Sequence, residues 1–552
     1  MNNPSNGSGF LVDPAKLPVI FRIQFIIVTV FTSVIYSSPR SIMIPHVRKV
    51  LVLGGGSAGF LAAISIKTVN PTIDVEVIRS PEIGIIGVGE ATTPLLPAVL
   101  HGDLNLDLTE FYRDAQPAWK LGIRLLWGPQ KEFHYTFHYQ TEHRHPQLSR
   151  NLGYYCWDEF HDIRPASSLM SVGRVFMRRP DGFPLIERDA AYHIENEHFV
   201  TFLEAQARRL NIVIRDDTVQ EVKVGDRGVD GLVLAKTGLA TADLYVDCSG
   251  FRAMLIRQAL KDPHISYKKS LYCDRAVVGG WTRENEPIMP YTTAETMNAG
   301  WCWQIEHEGR INRGYVYSSD FISDDDATRE FLAICPKITN TRIVKFASGR
   351  QSNSWVKNVV AVGNASGFVE PLESTSLTMI AMRTKAIAAI LHATGGVITD
   401  TCIREFNKRA ALNWDAIRDF LAIHYRFNTR LQTPFWKACV ADVELCGAAP
   451  IVEYYQENGP CSLWKGTLLD LADFFGLEGY WTLLMGQKVP YNMTFQPSSQ
   501  ERDFFRMYQQ YNRQKALAAM TCEEAYAAIR RPEWTWNNEF YKGRPGMQLS
   551  NA

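Results

Sequence analysis

The chain has 552 residues, 46% of them hydrophobic, and 58 basic side chains balance 58 acidic ones. That is enough for a large buried core split over two or more subdomains of roughly 100–200 residues, and zero formal charge gives no reason to expect nucleic acid or an anionic membrane as a partner. The ten cysteines form no Cys-x-x-Cys and no His/Cys cluster, which argues against a zinc site or a disulfide framework and suits a reducing compartment.

Residues 1–16 are polar and rich in Gly, Ser, Asn and Pro, the composition of a disordered tail. Residues 17–36 are apolar, but the uninterrupted part after Gln24 is shorter than the roughly 20 residues of a membrane span. A signal-peptide core is one reading, with Lys16 and Arg22 before it and Ser37-Ser38 after; a membrane anchor is another. The favoured reading takes residues 1–43 as an extension with a start codon placed too early, because Met43 stands where a nucleotide-binding domain begins. Export would also cut the protein off from a cytosolic supply of reduced cofactor, so a cytoplasmic location is expected.

Val50-Leu51-Val52-Leu53 reads as a buried parallel strand. Gly54-Gly55-Gly56-Ser57-Ala58-Gly59 follows at once, and Phe60–Ile66 has a helix pattern. Strand, glycine turn and helix are the context in which Gly-x-Gly-x-x-Gly binds a dinucleotide: the glycines make the turn, admit the pyrophosphate and let helix and strand pack. The helix N-terminus offers free N–H groups to the phosphates. The next strand, Val75–Ile78, ends in Arg79-Ser80 where an acidic ribose ligand is usual. Ser80 and backbone groups then hold the ribose, or Arg79 stacks on adenine or meets a phosphate; NADP is the alternative. Two further strand–turn segments, Asp243–Gly250 and Asn358–Gly367, favour a flavin over a nicotinamide. They suggest an α/β FAD-binding fold of the aromatic-hydroxylase type, with Asn364 in place of the usual aspartate.

Four ordered stretches resemble the flavin-dependent tryptophan halogenase family. Gly87-Val88-Gly89-Glu90-Ala91-Thr92-Thr93-Pro94 is similar to its flavin-contacting strap, and Trp119-Lys120 lies where it has a catalytic lysine. Gly300–Ile305 resembles its Trp-x-Trp-x-Ile-Pro signature, with Glu306 for the proline; Phe368–Ser376 resembles its Phe-Pro-Ser-Gly signature, with Ser376 for the last glycine. The resemblance spans about Val47 to Gly486. It implies that reduced FAD and oxygen oxidise a bound chloride or bromide to hypohalous acid, which travels through a tunnel to a separate aromatic substrate. It implies FAD contacts at Ser80, Glu90, Ala91, Val219, Asn364 and Leu377 besides the glycine loop, a halide site at Thr375 and Ser376, and a separate reductase supplying FADH2. No second dinucleotide fingerprint is present for NAD(P)H.

The chemistry suits the residue types. An ammonium polarises hypohalous acid or forms a haloamine, and a lysine presents its charge compactly; a nearby carboxylate orients the electrophile and takes the ring proton. Lys120 and Glu373 receive those roles. Taken alone, Lys120 reads as a snorkelling lysine and Glu373 as a helix-start carboxylate. Glycine missing at Ser376 would matter if a positive φ were needed there.

The substrate wall departs from the family. Phe475 stands where the resemblance expects a tryptophan, Tyr480 replaces an asparagine, and Tyr135 replaces a histidine. Tyr135, Phe137, Phe475 and Trp481 are expected to line a pocket for an aromatic ring, with core packing as the plain alternative. An electron-rich indole or phenol is the expected substrate, not necessarily free tryptophan. His134 and His138 would share a face only on a helix, and the run reads as a strand, so no metal is expected.

The rest is largely helical: a helix from Leu377 to Leu391, and amphipathic runs at Thr401–Arg426 and Gln500–Arg530. The expected layout is an extension at 1–43, an FAD-binding and catalytic domain at 44–400, and a helical substrate cap at 401–552. No membrane or nucleic-acid partner is expected, and a homodimer is left open. The rival functions are a flavin-dependent aromatic monooxygenase and a non-catalytic flavin-binding protein.

Overall fold

A computed structural model describes residues 46–84, 89–137, 148–149, 156, 162, 164–461, 464–470, 472–473, 475–492 and 495–543. The N-terminal extension, Gly87, Val88, His138 and Phe474 lie outside them.

The apolar run after Arg48 forms strand β1 (Lys49–Leu53), buried from Val50 onward. A strand with no polar face must sit mid-sheet with both faces covered. It does: the six-stranded sheet runs Val213–Asp216, Asp74–Arg79, β1, Leu244–Asp247, Val359–Ala361, Trp355–Val356. All neighbours are parallel except the last pair. Helix α1 (Ser57–Val69) leaves the glycine turn directly, and Phe60, Leu61 and Ile64 bury against the sheet side of the first core. No acidic residue stands in its first turn, so the positive end of its dipole is uncompensated.

Strand β2 (Ala118–Lys120) is fully buried. It is an edge of a three-stranded sheet whose middle strand is Ala191–Ile194 and whose other edge is Glu90–Ala91. Strand side chains alternate between faces. Trp119 joins the first core, stacked 4.3 Å from Tyr526 with its Nε1 donating to the Tyr112 hydroxyl at 2.7 Å; Lys120 is thereby turned the other way.

A seven-stranded, mainly antiparallel sheet carries Gly122–Leu126 and Phe133–Thr136 at one edge and Gly300–Glu306 in its middle. Residues after 400 are mostly helical, and several pack on this sheet. Helix α2 (Ser376–Ala393) follows the Glu373 turn, α3 (Asp400–Arg426) spans the apolar–polar run, and α4 (Gly476–Gly486) is almost wholly buried. Phe420, Tyr425, Phe475 and Trp481 share a second hydrophobic core with Ile123, Phe133, Trp301 and Trp303 of the sheet. The Gln500–Arg530 run is two helices, Ser499–Leu517 and Cys522–Ile529. Met520 between them pairs with Phe176 as an antiparallel bridge, and Thr521 caps the second helix through the Glu524 N–H. Among the described residues, no helix is long and apolar enough to cross a membrane.

Candidate active site

The glycine loop opens on a cavity of about 950 Å³, the upper end of the ~300–1,000 Å³ usual for small-molecule sites. Gly54, Gly55, Gly56, Ser57, Ala58, Ser80, Glu90, Ala91, Val219, Asn364 and Leu377 line it, as does Ser376. Gly59 does not; a Cβ there would lie 1.8 Å from the Gly54 carbonyl oxygen, so it serves helix–strand packing. Gly54 has φ +126°, and a side chain would strike the Cys248 carbonyl at 2.3 Å. At Gly56 a Cβ meets nothing within 4 Å; it would project into the space beside the N-terminus of α1. The open space beside Gly56 and the N-terminus of α1 has the shape and the N–H groups that a pyrophosphate needs, and Ser80 and Val219 stand on the same cavity lining.

Arg79 also stands on the cavity lining. Its guanidinium pairs with Glu204 at 2.5 Å and Asp216 at 2.6 Å, and these carboxylates raise its pKa further. Glu90, held by burial, has its carboxyl pushed up to about 7, against a 3.4 Å hydrogen bond from Asn196.

The segment Glu370–Ser376 lies between this cavity and a second, buried cluster. Pro371, Ser376 and Leu377 face the cavity. Glu373, Ser374 and Thr375 are 1–2% exposed. Ser374 has φ +59°, in the left-handed region that costs a non-glycine residue about 1 kcal/mol or more. That turn lets the Ser374 hydroxyl accept a 2.6 Å hydrogen bond from Lys120 Nζ, which also donates to the Thr92 carbonyl at 3.2 Å. Ser376, by contrast, is the first residue of α2 with Thr375 as its N-cap; no positive φ falls at Ser376, so the serine fits where the family signature has glycine.

Lys120 is 0% exposed. Burial pulls its pKa from 10.5 down to about 7, and the negative charge of Glu373 resists that fall. The ammonium lies 4.6 Å from the centroid of Phe137, within cation–π range. Glu373 Oε1 is 2.8 Å from His424 Nε2 on α3. Three residues earlier, Glu370 accepts from Trp301 Nε1 at 2.8 Å and from the Tyr425 hydroxyl; burial pushes its carboxyl up to about 7. The first tryptophan of the Trp-x-Trp signature thus anchors the turn that carries Glu373. At the end of that signature Glu306, in place of proline, is buried and its carboxylate is paired with Arg283.

Of the residues expected to line an aromatic pocket, Tyr135 and Phe475 flank Phe420, and Phe137 meets Tyr135. Tyr135 is 6.4 Å from Phe137 and 5.8 Å from Phe420, and Phe475 stacks on Phe420 at 3.8 Å. Tyr480 meets Phe420 edge-on at 4.9 Å and donates to Asp473 at 2.7 Å. Trp481 instead stacks on Tyr455 at 5.6 Å. Phe420, His424 and Ser374 escaped the sequence reading of roles; only Ser374 had a signal, as part of the Phe368–Ser376 motif. Among the described residues no cluster of His, Cys, Asp and Glu could hold a metal ion, and all ten cysteines are free.

The tryptophan halogenase family profile matches residues 49–501. The tryptophan 6-halogenase ThaL of Streptomyces albogriseolus is 30% identical over 482 residues, covering 79% of this chain and 87% of ThaL. The tryptophan 7-halogenase RebH of Lentzea aerocolonigenes is 30% identical, covering 71% and 78%. Among solved structures, MibH, a lanthipeptide tryptophan 5-halogenase, superposes with TM-score 0.81 at 37% identity, covering 88% of this chain and 93% of MibH. The tryptophan 6-halogenase SttH of Streptomyces toxytricini gives TM-score 0.78 at 27% identity, covering 88% and 100%. A dinucleotide cradle, a separate buried lysine and glutamate, and these likenesses converge: the chain belongs to the flavin-dependent tryptophan halogenase family and is an FADH2-dependent enzyme that uses halide to halogenate an aromatic compound.

Proposed function

We propose that this halogenase directs hypohalous acid onto an electron-rich aromatic, an indole or a phenol, through Lys120 and Glu373. The glycine-loop cavity would hold reduced FAD, which would supply, with oxygen, the oxidation of chloride or bromide to hypohalous acid. Thr375 and Ser376 hold the halide at the N-terminus of α2, where unpaired N–H groups and the helix dipole favour an anion. Lys120 in its ammonium form donates a hydrogen bond to the hypohalous oxygen and draws electron density from the halogen. Glu373 receives the ring proton. Tyr135, Phe137 and Phe475 position the ring, with Trp481 backing the wall from α4. A separate reductase provides FADH2, and the cytoplasm is the compartment in which that supply is at hand.

One observation carries this reading. The stretch Glu370–Ser376 lines the flavin cavity with Pro371 and Ser376, while its Ser374 is bonded to the buried Lys120. A single short segment therefore separates where the electrophile is made from where it is used. MibH acts on a lanthipeptide tryptophan, and ThaL and RebH are named for tryptophan. Indole is the ring these share, so indoles lead the substrate list and free tryptophan has no special claim.

The test is a screen of indoles and phenols with a reductase feeding FADH2, with chloride and bromide separately. A halogenated product that requires the halide is expected. A product carrying oxygen, formed equally without halide, would replace this reading with that of an aromatic monooxygenase.

A further inference from the structure

We infer that His424 is a positioning residue which holds Glu373 and takes on the proton that the halogenated ring sheds. The inference rests on the Lys120–Glu373 reading and extends it to a residue on a different element.

His424 is 0% exposed, near the C-terminal end of α3. Its place is fixed from several directions. Its backbone carbonyl accepts from Trp127 Nε1 at 2.7 Å, and its ring meets Phe420 edge-on at 5.7 Å. The next residue, Tyr425, donates to Glu370. Consecutive side chains of α3 therefore reach both carboxylates of the Glu370–Glu373 turn.

The ring nitrogens differ. Nδ1 lies 3.3 Å from the Phe420 carbonyl oxygen, which can only accept, so the proton of the neutral ring belongs on Nδ1. That leaves a lone pair on Nε2, 2.8 Å from Glu373 Oε1. At that separation a proton taken up by Glu373 can pass to the Nε2 lone pair. The contact is short but oblique: among the described residues neither Glu373 oxygen, nor His424 Nε2, has a well-aligned hydrogen bond. A carboxylate held this way keeps acceptor capacity for an incoming proton and has a base beside it to pass that proton to.

The step balances. The halogen of hypohalous acid bonds to a ring carbon as its bond to oxygen breaks. The leaving hydroxide takes a proton from the Lys120 ammonium and becomes water. The ring C–H bond then breaks, its electron pair restores aromaticity, and the proton passes to Glu373 and on to His424 Nε2. Return of that proton to the Lys120 amine closes the cycle, so that arene and hypohalous acid give haloarene and water.

The experiment uses the full chain with FAD, a reductase, bromide, and indole with or without deuterium on its ring carbons. Variants His424→Gln and Glu373→Gln run alongside the wild type. His424→Gln should keep FAD binding and FADH2 reoxidation and lose about 100-fold in halogenation, the lower end of what a placed acid–base group supplies. A primary isotope effect with deuterated indole should emerge in the variant and be absent in the wild type, because proton loss has become the slow step. A slower variant with no isotope effect would overturn the proposal and leave His424 a packing residue, as would an unchanged rate. If His424→Gln fails to retain FAD, His424→Asn is read by the same criteria. Wild-type halogenation in Glu373→Gln would instead sink the underlying reading, so the two failures are told apart.

Discussion

Replacing Lys120 by methionine keeps much of its length and removes its charge, and two consequences follow from the burial of that side chain. The first is loss of halogenation. The second is a gain in stability that depends on pH. Lys120 is fully enclosed and its pKa falls from 10.5 to about 7; at about 1.36 kcal/mol per pH unit, an ammonium kept there below pH 7 costs on the order of 5 kcal/mol. The sign follows from proton counts. Between about 7 and 10.5 the unfolded chain holds the proton and the folded one does not, so wild-type stability rises with pH across that window. Methionine has no such term. Methionine also orphans the Thr92 carbonyl and the Ser374 hydroxyl, at about 1–3 kcal/mol each, but that cost is the same at every pH. The stability of the variant relative to wild type should therefore fall by several kcal/mol between pH 6 and pH 10. Urea unfolding of both proteins at fixed, saturating FAD, followed by tryptophan fluorescence, measures it. A difference that does not change with pH would refute the claim that Lys120 is desolvated.

The protonation state that works can be read from the rate. If the ammonium polarises hypohalous acid, halogenation should fall about tenfold per pH unit above pH 7; a rise there would favour a haloamine formed by the neutral amine. Glu90 and Glu370 also have carboxyls near 7, so the profile is repeated in Glu90→Gln and Glu370→Gln. Glu373→Gln should slow halogenation by about 100-fold or more while FADH2 reoxidation persists, measured by stopped-flow absorbance; a wild-type rate would remove Glu373 from the mechanism. Gly56→Val should leave the fold intact, since its Cβ meets no protein atom, yet weaken FAD binding tenfold or more, about 1.4 kcal/mol, in a fluorescence titration. Trp301→Phe leaves Glu370 without one of its two donors and should cost about 1–3 kcal/mol in unfolding free energy.

Local patterns made the flavin half of the molecule readable. The Gly54–Gly59 loop works through neighbours in sequence, so its strand, turn and helix appear where expected, Lys49–Leu53 and Ser57–Val69. Lys120 and Glu373 were legible only through flanking motifs, because their meeting depends on a contact between segments 254 residues apart. The Ser374 turn could not be foreseen from residue type, since serine has no preference for φ +59°; the surrounding hydrogen bond stabilises it. Phe420 and His424 carried no signal at all. Their spacing on α3 reads as the apolar face of an amphipathic helix, and only the packing of α3 on the sheet turns that face toward Glu373 and Phe475. Of the residues expected in the substrate wall, Tyr135 and Phe475 meet at Phe420 and Phe137 meets Tyr135, whereas Trp481, one position past Tyr480 on α4, stacks its indole on Tyr455. A one-residue step rotates a helical side chain by about 100°, so neighbours on α4 face different partners.

The central claim is that hypohalous acid made beside the flavin reacts only after Lys120 has received it. The most direct measurement follows halogenated indole, oxygen uptake and FADH2 reoxidation together in wild type and Lys120→Ala, with bromide and a reductase present. The claim predicts that Lys120→Ala consumes oxygen and reoxidises FADH2 at the wild-type rate and yields no halogenated indole above the enzyme-free background. Halogenated indole formed by Lys120→Ala at the wild-type rate would contradict it.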